Sequence, residues 1–310
     1  MASSSISKSP GKVKAWMAAF RLRTLPLALA SMGMGSFLAA AQGKFNPPIV
    51  ILCALTTVLL QVLSNLANDY GDTQHGADSP HREGPKRAVQ AGIIMATEMK
   101  KAIYLTAFLS LVSGIGLLFL AFGTSGFYLF LTFLILGLLC IWAAVSYTAG
   151  KNPYGYAGLG DIAVFAFFGL VGVLGTYFLQ TGELSWDLFW PAASLGFFST
   201  GVLNINNIRD IRSDELAGKK SIPVRLGPRR ARIYHWFLLV GGLVCSVIYV
   251  LQHYQSSWQF LFLLTAPLFF KIGAQVYQLQ QPAQLDPYLK QMALSTMLFV
   301  ILFGIGQIII

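Results

Sequence analysis

The chain of 310 residues is 55% apolar and only 11% charged, with a mean hydropathy of +0.62. Soluble domains of this length carry about a quarter charged residues, which excludes a pair of water-soluble domains, a disordered chain and a secreted disulfide scaffold. The net charge of +10 admits nucleic acid, an anionic membrane surface or an anionic substrate as partner, so the placement of the charges has to choose among them.

A helix needs about 20 mostly apolar residues to cross a hydrocarbon core of roughly 30 Å. Nine such runs are predicted, over 25–41, 48–67, 102–122, 126–147, 161–180, 188–203, 233–251, 258–277 and 290–310. The first ends on Ala39, Ala40 and Ala41, as a cleaved signal peptide does. Its basic lead is too long for that, however, with Lys8, Lys12, Lys14, Arg21 and Arg23, and no soluble exported domain follows. Residues 1–24 therefore read as a basic cytoplasmic segment and residues 25–310 as one transmembrane domain. Cys53, Cys140 and Cys245 lie in apolar runs without paired spacing, which points to packing rather than zinc or disulfides.

Lysine and arginine should collect in alternate connections of a membrane protein. With nine spans, twenty-one of the twenty-two fall on one side and Lys44 alone on the other. The expected chain is an all-α polytopic membrane protein with its N-terminus and the long connections 68–101 and 205–232 in the cytoplasm and its C-terminus outside. Ten of the twelve acids, all but Glu183 and Asp187, share the basic side. Topology has no need of them, so the chemistry is expected at that face.

The connection after the second span opens Asn68-Asp69-Tyr70-Gly71-Asp72 and continues through Gly76, Asp78, Arg82, Lys86 and Arg87. The one after the sixth runs Asn206-Asn207-Ile208-Arg209-Asp210 to Asp214, then Lys219. Asn68 and Asp72 match Asn206 and Asp210 at one offset of 138 residues. Four helices separate the copies, so both lie on one side, as in two pseudo-repeated four-helix halves with a ninth helix added. Residues four apart share a helix face, and Asp214 extends the second copy. Asp78, six beyond Asp72, reaches the site only if Gly76 turns the chain back. Clustered hard oxygen ligands favour Mg²⁺, and interleaved bases favour a metal-bridged diphosphate over a bare cation site. Solvated loops with paired charges are the plain alternative, disfavoured by the repeated spacing. Gly218-Lys219-Lys220-Ser221 lacks the glycine spacing of a nucleotide-binding P-loop, and the membrane setting speaks against nucleic acid.

These motifs, together with Tyr147-Thr148, Pro153 to Asp161 and Val224-Arg225-Leu226-Gly227, resemble the UbiA-type superfamily of intramembrane prenyltransferases. Within it they are most similar to the branch that prenylates 1,4-dihydroxy-2-naphthoate in menaquinone biosynthesis. The resemblance covers essentially the whole chain. It implies a multi-pass protein of the bacterial plasma (inner) membrane that transfers a polyprenyl group from its diphosphate to the naphthoate, with loss of CO₂.

The resemblance also implies Mg²⁺ held by Asn68, Asp72, Asp210 and Asp214, with Asp78, and diphosphate held by Arg82, Arg87, Arg209 and Lys219. Catalysis then rests on Asp72, Asp210 and Asp214. The repeat register assigns Asn206 to the metal and leaves Asn207, about 100° round the helix, to meet the acceptor. Tyr70, Tyr147, Tyr154 and Tyr156 either shield a prenyl cation or anchor the interface. Asp161 either orients the acceptor or caps a helix, and Lys151 either holds the anion or serves topology. His75 and His81 read as surface residues. Another aromatic acceptor, such as 4-hydroxybenzoate or homogentisate, is the alternative within the family. A secondary transporter is the alternative outside it, and it requires a site near the midplane. No protein partner is legible.

Overall fold

The computed structural model describes residues 11–76, 84 and 87–309. The described residues form helices and turns, and nine of the helices are long and apolar enough to cross a membrane. The first of these, Lys12–Ala41, is broken at Arg21 into α1 (Lys12–Phe20) and α2 (Leu25–Ala41). There follow α3 (Pro47–Gln74), α4 (Ala96–Phe122), α5 (Phe127–Ser146), α6 (Gly160–Thr181) and α7 (Trp186–Arg209). A short α8 (Ile211–Leu216) precedes α9 (Ile222–Gln252), α10 (Ser257–Gln278) and α11 (Pro282–Ile308).

Local sequence explains the boundaries. Asn46 caps α3 by accepting from the Ile49 amide, with Pro47 and Pro48 in the first turn. Gly76, at φ 78°, turns the chain away after α3. Pro228 and the non-helical Gly227 kink α9 near its start. Residues 12–20, expected to be part of a basic tail, instead form a helix. Its Ala15 and Ala19 pack on Leu63, Leu66 and Ala67 of α3, and Lys12 pairs with Glu98 at 2.6 Å.

The tightest packing surrounds α7, which is buried along most of its length. Small residues allow this: Gly169 of α6 lies against the Ala192 carbonyl and Gly196 of α7, and Gly172 lies against Ser31 of α2. Residues 165–174 of α6 are wound as π-helix. On the other side Phe198 stacks on Phe269, with Phe299 edge-on to both and Phe262 edge-on to Phe299. By contrast α5 has Ala143 alone fully buried. The bundle therefore has a dense half built on α7 and a looser half in which α3, α4, α5 and α6 surround open space.

Candidate active site

Both motifs stand at helix ends on one end of the bundle. In α3, Asn68 and Asp72 share a face, and Asp72 is buried. Its Oδ2 pairs with Arg87 at 2.6 Å and its Oδ1 accepts from the Tyr156 hydroxyl at 2.9 Å. Arg87 also donates to the Asn68 carbonyl. The Asn68 side chain accepts from Thr148 at 2.9 Å. Gly71 is required between them, because a Cβ there would run into the Thr148 carbonyl. Tyr70, about 200° round the helix from Asn68, is bonded instead to Gln74 and packs against the cluster that contains Ala19, Leu66 and Ala88. Asp69 ties down the returning chain by accepting from the amides of Ala88 and Val89, both at 3.2 Å.

The second motif continues a cavity-lining face. Leu203 faces the open space, and Asn207, Asp210 and Asp214 follow at helical spacing. The helix breaks at Asp210 but its hydrogen bonding barely lapses, since Asp214 N donates to Asp210 O at 2.9 Å. Arg209 is sealed inside the protein. It grips Asp210 with two nitrogens at 2.9 and 2.7 Å, Asp286 at 2.5 Å and the Asn206 amide oxygen at 2.9 Å. Gly84 of the first motif's loop lies over its guanidinium. The guanidinium is thus spent on protein groups, where the sequence assigned it to diphosphate. Asn206 is likewise turned to Arg209, while Asn207 Oδ1 is buried without a hydrogen-bond partner among the described residues. Proximity of Arg209 in sequence, not the repeat register, decides which amide turns inward.

Asp72, Tyr156, Lys219 and Asp214 form the junction of the two motifs. Lys219 Nζ lies 3.3 Å from Asp214 Oδ1 and 5.8 Å from the Tyr156 ring centre. Burial pushes the Asp214 carboxyl up to about 6, against the pull of Lys219. Burial alone lowers the Lys219 ammonium, but Asp214 and Asp72 outweigh it and hold the proton more firmly than on an ordinary lysine. Burial, followed by Asp72, raises the Tyr156 phenol, which stays a donor. Asp214 Oδ2 is buried and unpartnered among the described residues. No three acids, His or Cys among the described residues form a ready metal cluster. The orphaned Asp214 and Asn207 oxygens, with Asp72 beside them, are nevertheless hard donors that fit Mg²⁺.

An apolar cavity of about 380 Å³ opens beside this junction, with Asn68, Tyr147 and Tyr154 at its head. Tyr147 and Tyr154 meet edge to face at 5.4 Å, and the Tyr147 hydroxyl lies against Gly160. Asp161 does not cap α6. Its carboxylate accepts from Tyr234 at 3.1 Å, and Thr200 bonds its carbonyl. Lys151 is exposed, and His75 rests on Tyr156 and bonds the Gly150 carbonyl. Asp78, Arg82 and His81 lie outside the described residues. A second cavity, about 330 Å³, adjoins Arg21, Arg23, Arg87 and Asn206. Sequence reasoning missed Thr148, Tyr234 and Asp286 as partners of site residues, because no spacing links them to the motifs.

The model of the UbiA prenyltransferase family matches residues 27–299. A relative from Escherichia coli (strain K12), 1,4-dihydroxy-2-naphthoate octaprenyltransferase, is 45% identical over 95% of each chain. Its namesake from Haemophilus influenzae is 46% identical over 96% of this chain and 97% of that one. A solved UbiA homolog from Archaeoglobus fulgidus bound to GPP and Mg²⁺ shares the fold at a TM-score of 0.60, with 16% identity over 94% of this chain and 100% of the other. With its motifs at one end of a nine-span bundle and a family match over nearly its full length, the chain belongs to the UbiA prenyltransferase family.

Proposed function

We infer that this protein transfers a polyprenyl group, octaprenyl by its relatives, from the diphosphate to 1,4-dihydroxy-2-naphthoate with decarboxylation, yielding demethylmenaquinol, diphosphate and CO₂. The observation that carries the reading is the junction of opposites. A buried cluster of acids and bases, Asp72, Asp214, Lys219 and Arg87, stands at the head of an otherwise apolar cavity. A diphosphate with a lipid tail has this same division of polarity. The acceptor is supported by the two relatives at 45% and 46% identity, both named for that naphthoate.

Mg²⁺ bound here would neutralise charge growing on the leaving diphosphate oxygen. Asn68, Asp72, Asp210 and Asp214 would hold it, with Asp78 and with Asn207 in preference to Asn206. Arg87 and Lys219, with Arg82 and Lys151, donate to the remaining diphosphate oxygens. The allylic C–O bond breaks, its electron pair leaves with diphosphate, and the electron-rich ring carbon captures the allylic cation. The bond to the ring carboxylate then breaks, its electron pair returning to the ring to restore aromaticity as CO₂ leaves. Tyr147 and Tyr156 present ring faces that shield the cation and keep water out, while Asp161 orients the acceptor. Arg209 acts at one remove, as a positioning residue for Asp210. The motif end faces the cytoplasm of a bacterial inner membrane, a reading that the distribution of lysine and arginine supports.

Membranes containing the protein, incubated with labelled prenyl diphosphate and each acceptor in turn, test the assignment. Prenylated product and CO₂ from the naphthoate are expected. Product from 4-hydroxybenzoate or homogentisate alone overturns the acceptor, and no transfer to any acceptor overturns the activity.

A further inference from the structure

The long cavity has an uneven bore. Three glycines from three helices, Gly114 of α4, Gly137 of α5 and Gly175 of α6, line it. A Cβ at Gly137 or Gly175 would meet nothing within 4 Å, and one at Gly114 would only graze the Thr56 methyl at 4.0 Å. These glycines are therefore not needed for close helix contact, unlike Gly169 or Gly71. What their missing side chains supply is width.

Their depths agree. Gly137 lies ten residues before Tyr147 on α5, about 15 Å along the axis. Thr56, beside Gly114, lies twelve residues before Asn68 on α3, about 18 Å. Gly175 lies fifteen residues after Gly160 on α6, at most about 22 Å and less for the π-helical stretch 165–174. An isoprene unit contributes four chain bonds, about 5 Å when extended, so the widening falls at the third and fourth units counted from the diphosphate.

One helical turn beyond Gly137, Phe133 lines the cavity and stacks on Phe178 at 5.3 Å, and Phe122 packs on both. This cluster joins the far ends of α5 and α6. Above it α5 packs on α3 and α4 but not closely on α6. The facing cavity residues Leu134, Gly137, Val171 and Gly175 are part-exposed and line the space between these two loosely packed helices.

We propose that Gly114, Gly137 and Gly175 form a girdle that sets prenyl chain-length selectivity. A chain of more than about four units turns there, on the floor of Phe122, Phe133 and Phe178, and leaves between α5 and α6 into the bilayer. The inference rests on the prenyl-diphosphate reading above and extends it to the choice of donor. Bulk placed at the girdle blocks the turn of a long chain, whereas a two-unit chain of about 10 Å ends above it.

The test is a graded series, Gly137→Ala, Gly137→Val and Gly137→Phe, with the same series at Gly175. Each variant is assayed for kcat/KM with geranyl diphosphate and with octaprenyl diphosphate on the naphthoate. The ratio of geranyl to octaprenyl activity should rise with side-chain size and exceed tenfold over wild type at phenylalanine. Gly116→Phe is the control, since Gly116 is exposed, has open space before it and lies outside the cavity lining. It should leave the ratio unmoved. A ratio constant across the alanine and valine variants overturns the girdle, as does an equal shift in the Gly116 control. Failure of the wild type to use either donor refutes the underlying prenyltransfer reading instead.

Discussion

Replacing Arg209 by methionine removes a guanidinium with no solvent exposure that makes four bonds, two to Asp210 and one each to Asp286 and Asn206. Methionine keeps much of the volume, so the perturbation is chiefly the loss of charge. Breaking one side of a buried pair costs about 3–5 kcal/mol, because the remaining acid stays buried and loses the guanidinium that held both its oxygens. The Asp286 contact adds less, since that carboxylate is 30% exposed and screened by water. For chains of this size each kcal/mol moves Tm by about 2 °C, so a fall of about 6–10 °C is expected. Tryptophan fluorescence during heating in detergent reads it directly. Arg209→Lys, which keeps the charge but not the fork, should fall between the two. The double variant Arg209→Met with Asp210→Asn should recover part of the loss. A wild-type Tm for Arg209→Met, together with a large rise in KM for prenyl diphosphate, would return Arg209 to direct substrate binding.

Asp72→Asn and Asp214→Asn should each lower kcat by at least about 100-fold, the loss of about 3 kcal/mol expected when a charged donor to the leaving group's counter-ion is neutralised; product formation within tenfold of wild type contradicts the assignment. Tyr156→Phe removes a hydrogen bond to a carboxylate worth about 1.5–3 kcal/mol, so kcat/KM should fall about 10- to 100-fold with little change in Tm. Asp214, with its carboxyl raised to about 6, must lose a proton to take Mg²⁺, so the half-saturating Mg²⁺ concentration should climb toward tenfold per unit below pH 6 and level off above pH 7. For folding the same shift has the opposite sense: a raised acid contributes stability that is fully present below 3.8 and lost as pH rises through about 6. Melting of the metal-free protein should therefore show a destabilising step over that window that Mg²⁺ reverses, and Asp214→Asn should abolish the step.

Much of this site was legible because membrane proteins spend charge sparingly. Asp72, Asp210, Asp214, Arg87 and Lys219 stood out against an apolar chain, and helical periodicity alone placed Asp72 with Asn68. The same periodicity should have removed Tyr70, which lies on the far side of that helix from Asn68. The helix at Lys12–Phe20 was hidden because its apolar stripe is short and its lysines imitate a topogenic tail. Arg209 shows a different limit: sequence shows that a base lies beside the motif, not whether its fork is already filled. Asp286 fills it from 77 residues away, and such long-range partners carry no spacing signal. The cavity's bore was also invisible, since glycines that make room and glycines that permit close packing look alike until their neighbours are known.

If the charged junction holds the diphosphate while the apolar cavity holds the tail, a structure of the protein with Mg²⁺ and a non-hydrolysable polyprenyl thiolodiphosphate will show both. Diphosphate is expected between Asp72 and Asp214, in reach of Lys219 and Arg87, with the first isoprene units running past Tyr147 toward Gly137. Diphosphate seated instead beside Arg21 and Arg23 in the second cavity, or a tail lying outside the α3–α6 space, would contradict that assignment.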